Sequence, residues 1–305
     1  MMSTGIYTRN MTEKIQNRLD SIDSPQKIEE LYFLFNSIEN GIVPLVHFNL
    51  EVGTYVIRQR INNKDKEFSN VSELTYPPMS ACKGYGRANI PYHPMFYCCS
   101  FADDFTSPLP RYISVLETSD FIKRKETTGI ERSTCSRWDV IERLDLLALP
   151  FSTEYERTIP IIKQIQDEWK IVKQEKGINN EALELVEYMS NEIAKEITNN
   201  DDYFKIANFV YYLLYINEQT KEMDGIIYPS VAAAGEGFNI VLKPEVVDKK
   251  LKFSVASLCY LVKKGEKAEV DIVNHSIRQN EDGTLLYELM DDYNAEKYKN
   301  EEFIN

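Results

Sequence analysis

DGIIYPSVAAAGEGFNIVLKP, residues 224–244, decides the fold class. Asp224 to Ser230 reads as an apolar strand that stops at Pro229, because proline has no N–H to give a ladder. The small-residue loop Ala232-Ala233-Ala234-Gly235-Glu236-Gly237 then leads into a second strand, Phe238 to Leu242. Just upstream, residues 156–217 read as a helical block. In its second helix Ala182, Val186, Met189, Ile193 and Ile197 form one apolar stripe, which is core. A third helix, roughly Tyr203 to Leu214, is apolar nearly all round and is expected to be buried. Before this block, residues 48–61 alternate as a strand does, with Tyr55, Ile57 and Gln59 on one face and Val56, Arg58 and Arg60 on the other. Strands on both sides of a helical block predict an α+β fold, since α/β sheets alternate strand and helix regularly.

The remaining chain fits around this frame. Residues 11–40 read as a helical pair broken at Ser21 to Pro25, where Ser24-Pro25 has the form of a cap followed by proline at the first helical position. Asn40-Gly41 marks its end. Residues 62–93 are rich in Asn, Pro, Gly and Ser and predict a long loop, a length often tied to function. Met95 to Cys99 predicts a short strand, whereas periodicity leaves Ser136 to Leu149 open between helix and strand. Further strands are expected to about residue 290, with turns at Lys264-Gly265 and Asp282-Gly283, and then a polar, frayed tail. The expected division is a helical extension over 1–47, a main domain over 48–290 containing the helical block, and a tail over 291–305.

With 305 residues and 43% hydrophobic content, including 19 Tyr and 14 Phe, the chain can bury a large core. No stretch approaches the ~20 apolar residues of a membrane span, and residues 1–14 have no apolar signal region. Cys82, Cys98, Cys99, Cys135 and Cys259 are odd in number and lack CxxC spacing, so reduced thiols in the cytoplasm are expected. His47, His93 and His275 show no metal-ligand spacing, so no metal cofactor is expected. The formal net charge of −13 disfavours direct nucleic-acid binding, whose affinity rests on clustered Lys and Arg. A basic protein partner suits this charge.

Familiar catalytic signatures are missing: no Gly-x-Ser-x-Gly elbow, no GxxxxGK[ST] loop, no His-Glu-x-x-His. Gly235-Glu236-Gly237 reads as a flexible turn before it reads as a phosphate cradle. Three stretches carry more: TYVIRQR (54–60), KGYGRANIPYHPMFY (83–97) and DGIIYPSVAAAGEGFNIVLKP (224–244). In this order they resemble the RES domain family, with an arginine on an early strand and a Gly-Arg-x-Asn loop leading to a strand with Tyr. A downstream glutamate follows, and then a Pro-Ser turn before an Asn-(Ile/Leu)-Val-Leu strand. The resemblance spans roughly residues 50–245.

That resemblance implies an ADP-ribosyltransferase-like α+β fold that takes NAD as a substrate and needs no further cofactor. It also implies a toxin that cleaves the nicotinamide–ribose bond by hydrolysis or phosphorolysis, held in check by a helix-turn-helix (Xre-type) antitoxin. A homo-oligomer is compatible with it. Residue by residue, it implies roles for Arg58, Arg87, Asn89, Tyr97, Glu117 and Ser230. The chemistry suits them. Arg58 and Arg87 offer planar donor forks to a pyrophosphate. Asn89 can fix its loop through side-chain-to-backbone hydrogen bonds, and Tyr97 presents a ring and a hydroxyl. Glu117 is the carboxylate for oxocarbenium character at the ribose. Ser230 would meet ribose or phosphate.

Each residue also has a plain structural reading. Arg58 can snorkel from an edge strand, Arg87 can cap a helix, and a serine after proline is ordinary turn chemistry. The chain departs from the family pattern at Gln59, at Ala88 (the family's common tryptophan) and in the long interval between Tyr97 and Glu117. Two alternatives stand beside the enzyme: a protein ADP-ribosyltransferase on the same fold, and a module that binds NAD without turning it over.

Overall fold

The computed structural model describes residues 15–38, 43–63, 66–100, 109–124, 127–150, 160–195, 199–230, 232–233, 237–291, 293–299 and 301–304. The fold is mixed α+β. Two compact units interleave along the chain: Met1–Asn49, Pro78–Met95 and Asp145–Val231 make the first, and Leu50–Pro77, Phe96–Leu144 and Ala232–Asn305 the second.

The first unit is mostly helical. Residues 15–21 are helical, and after a short 3-10 turn begun by Pro25 comes α1 (Ile28–Ser37). Asn40-Gly41 lies outside the described residues. Phe35 of α1 packs 5.4 Å from Phe209 and 5.3 Å from Tyr212, and the Tyr32 hydroxyl donates to Asn208 Oδ1 at 2.8 Å. The amino-terminal helix is therefore core of this unit. The strand reading over 48–61 divides into β1 (Val46–Leu50) and the second unit's β2 (Tyr55–Ile61), with a turn between them at Gly53.

The helical block supplies α4 (Pro160–Val172), α5 (Asn180–Ile193) and α6 (Phe204–Tyr211), the last running into a π-helical turn, Tyr212–Ile216. The α5 stripe Ala182, Val186, Met189 and Ile193 is buried, and Ile197 lies outside the described residues. Nearly every side chain of α6 is buried, as its all-round apolar pattern requires. These helices connect β5 (Leu144–Ala148) to β6 (Gly225–Pro229), which pair in parallel. Parallel neighbours need such a crossover, and a strand covered on both faces reads as the unbroken apolar run seen in β6. Asp224 closes the join by accepting the Asp145 N–H at 2.7 Å.

The second unit is an antiparallel sheet in the order β7-β3-β2-β4-β8-β9-β10. Its further strands are β3 (Phe96–Ser100), β4 (Thr128–Val140), β7 (Phe238–Leu242), β8 (Leu251–Lys264), β9 (Lys267–Gln279) and β10 (Leu285–Leu289). Ser136 to Leu149 proves to be the end of β4, a turn and β5. The helices α2 (Leu109–Thr118) and α3 (Asp120–Lys123) cover one face, where Val115, Phe121 and Ile122 pack on Ile57, Cys135, Cys259 and Leu261. Both expected turns are present, with positive φ at Gly265 and Gly283. The loop after β2 is tied to the second of them by Val71 N–H donating to Gly283 O at 3.0 Å.

Two expectations fail here. Residues 244–250, read as part of a run of strands, form α7 (Pro244–Lys250), with proline at its start, Glu245 in the first turn and Lys249 and Lys250 in the last. Those terminal charges match the helix dipole and outweigh the β-branched Val246-Val247 pair. The tail is not frayed either. Ile130 N–H donates to Glu302 O at 2.8 Å, and Ile304 N–H to Ile130 O at 3.0 Å. The aromatic rings hold it: Tyr260 lies 5.0 Å from Tyr298 and 5.2 Å from Phe303. Tyr298→Ala should lower stability by about 3 kcal/mol, the usual cost of truncating a buried aromatic ring. A denaturant midpoint unchanged from wild type would contradict a docked tail.

Candidate functional site

The implied residues fall into both units. In the second unit, Ile57 of β2 sits opposite Cys99 of β3, and Cys99 opposite Asn239 of β7. These three share the face that α2 covers. Alternation puts Tyr97 on the same face and Arg58 on the other. The partners agree, for the Arg58 guanidinium lies 5.2 Å from the Phe96 ring, and Phe96 packs edge-on against Trp138.

Arg58 Nη1 donates to the backbone carbonyl of Tyr97 at 2.8 Å, while its buried Nε has no hydrogen-bond partner among the described residues. Burial, and after it the nearby Arg60 charge, push Arg58 down to about 10. It remains a cation at neutral pH, one with donors to spare. An arginine placed there solely to snorkel would keep its head in water. Arg60, its neighbour on the same face, is occupied with the Glu73 carbonyl and the Phe68 ring.

Glu117 lies half-buried in the last turn of α2, and Asn239 Nδ2 donates to its Oε1 at 2.9 Å. Asn239 is itself 6% exposed. Its Oδ1 accepts from the Cys99 thiol at 3.3 Å. Burial foremost, then the neighbouring Cys98, Glu117 and Cys135, raise Cys99 well above the usual thiol range, so it stays a proton donor. Two packing features aim the helix. The Ser119 hydroxyl caps α3 by accepting Ile122 N–H at 3.0 Å and donates to the buried Glu131. Gly237 lets Ile113 of α2 close in, since a Cβ there would stand 2.0 Å from Ile113 Cδ1. Gly235 and Glu236 lie outside the described residues.

In the first unit Arg87 has a structural task. Its Nη1 donates to the carbonyls of Ile193 and Lys195, the latter at 2.9 Å, and its guanidinium lies 5.0 Å from the Tyr203 ring. The cap at the end of α5 accounts for it. Arg87→Ala should cost about 1 kcal/mol of stability, as cap losses do. A denaturant midpoint equal to that of wild type would contradict the cap. Asn89 closes the Gly86–Asn89 turn, with Gly86 N–H donating to Asn89 O at 2.9 Å, and its side chain donates to Ile90 O at 3.3 Å. Ala88 lines a shallow depression with His93, Met95, Tyr211 and Tyr215. Ser230, just past β6, is fully buried.

Thus Arg58 meets Tyr97 through its backbone and Glu117 meets Asn239, while the strand register sets Arg58 and Glu117 on opposite faces of the sheet. Asn239 and Cys99, which bond in series behind Glu117, were not singled out in the sequence. A polar Asn inside the otherwise apolar run FNIVL was the available signal.

Among the described residues no helix is long and apolar enough to cross a membrane, and no group of three or more His, Cys, Asp or Glu could hold a metal ion. All five cysteines are free thiols. No protein-family model matches the chain, and a search of curated proteins finds no match either.

Proposed function

We propose that this chain is an NAD-consuming enzyme of the RES type, with an ADP-ribosyltransferase-like fold. It cleaves the nicotinamide–ribose bond and passes the ADP-ribosyl group to water or phosphate. The observation that carries this reading is a convergence. TYVIRQR, the Tyr97 strand, the downstream glutamate and the Asn-Ile-Val-Leu strand are far apart in sequence, yet β2, β3 and β7 are neighbours. Arg58 is bonded to Tyr97, and Glu117 to Asn239.

In this reading Arg58 uses its remaining donors on a phosphate oxygen, the dinucleotide reaching it from the Glu117 face past the Ile57–Cys99 end of the β2–β3 pairing. Tyr97 meets the nicotinamide side, and Glu117 stabilises positive charge on the ribose as the bond breaks. Nicotinamide leaves neutral, so the mechanism asks for no strong general acid. The chain acts as the toxin of a pair whose antitoxin is a helix-turn-helix protein. A toxin of this kind works in the cytoplasm, where NAD is its substrate.

Induced expression in a bacterial host tests this: cellular NAD should fall within the first generations, and Glu117→Ala should abolish the fall. Unchanged NAD with normal growth would contradict it. The opposite faces of Arg58 and Glu117, which part a phosphate-binding arginine from the proposed catalytic carboxylate, favour a second reading, NAD binding without turnover. That reading expects thermal stabilisation by NAD with the NAD left intact.

A further inference from the structure

We propose that Asn239 is the positioning residue for Glu117, with Cys99 locking the Asn239 amide behind it. This rests on the role given to Glu117 above. A carboxylate only accepts, so contact with Oε1 requires the Asn239 NH2 group to face Glu117. Its carbonyl oxygen must then point the other way, and there it meets the Cys99 thiol. Cys99 and Asn239 are direct partners across the β3–β7 ladder, so the backbone fixes their spacing. Both are buried, at 3% and 6% exposure, which shields the chain of bonds from competition by water.

Glu117 sits one residue from the end of α2, where a helix otherwise holds a long side chain loosely. A fixed donor restricts its carboxylate to one plane. Pre-organisation of this kind matters most for a group that acts on transition-state charge.

The test uses Asn239→Asp, which keeps the shape but replaces the donor with an acceptor, together with Asn239→Ala, Cys99→Ser and Cys99→Val. Nicotinamide release from NAD is measured for each, beside thermal unfolding and a crystal structure of either Asn239 variant. The expected result is a kcat lower by about 100-fold in both Asn239 variants, the order a misplaced catalytic group produces. KM for NAD should stay within about threefold, because binding does not run through this contact. Cys99→Ser keeps a donor and should keep near-normal kcat, whereas Cys99→Val should lose part of it. In the crystal, Glu117 should leave its rotamer.

Wild-type kcat in both Asn239 variants, or a Glu117 carboxylate unmoved in their structure, would overturn the inference. If wild type itself releases no nicotinamide, the enzyme reading falls, and the crystal structure alone then decides whether Asn239 holds Glu117.

Discussion

Glu117→Gln should slow nicotinamide release from NAD by about 1000-fold, while the protein stays folded and still binds NAD. The change is one atom wide. It keeps an acceptor oxygen for Asn239 Nδ2, removes the negative charge and puts an NH2 donor in place of the second carboxylate oxygen. A charge aimed at developing oxocarbenium character in a partly desolvated site is worth roughly 3–4 kcal/mol, which sets the size of the loss. Since Glu117 is half-buried at a helix end rather than in the hydrophobic cluster, stability should move little. A wild-type rate in Glu117→Gln would mean that another group carries the chemistry.

Arg58→Met separates stability from binding. At neutral pH Arg58 is a partly buried charge whose guanidinium bonds the Tyr97 carbonyl and lies against the Phe96 ring. Its folded value near 10 lies below its value in the unfolded chain. Between those values the unfolded chain binds more protons, so the group's contribution to stability improves as pH rises through that window and is at its worst below it. Replacement by an apolar side chain of similar length removes this cost, and the melting temperature should hold or rise. Stabilisation by NAD should vanish. At 100 times Kd, a ligand that binds only the folded state stabilises by about 2.7 kcal/mol. Melting curves with and without NAD decide the matter, and an undiminished NAD shift in Arg58→Met would remove Arg58 from the binding site. The two outcomes together describe a residue kept for function at the expense of the fold.

Legibility in the sequence followed the strength of each local signal. The stripe of α5, the all-round apolar α6 and the apolar strand β6 were readable because burial imposes a period or an unbroken run. Arg58 stood out for a similar reason, as a charge on a β-branched strand. α7 escaped because seven residues with adjacent valines look like a strand, and its decisive signals are charges at its two ends. The tail escaped because its anchoring aromatics, Tyr293, Tyr298 and Phe303, are thinly spread among polar residues and show no period. Arg87 illustrates the limit for sites. Only the carbonyls of Ile193 and Lys195, about a hundred residues away, distinguish a helix cap from a phosphate clamp. The opposite faces of Arg58 and Glu117 depend on how β2, β3 and β7 register, which no single stretch encodes.

The most direct test is nicotinamide release from NAD by purified wild-type protein, followed over time with and without phosphate. The account predicts stoichiometric release of nicotinamide as NAD disappears, with ADP-ribose as product if water is the acceptor. Faster release with phosphate, and ADP-ribose phosphorylated at the anomeric carbon as product, would name phosphate as the acceptor. NAD that stays intact in both conditions, with enzyme concentration raised to that of the substrate, would contradict the enzyme reading.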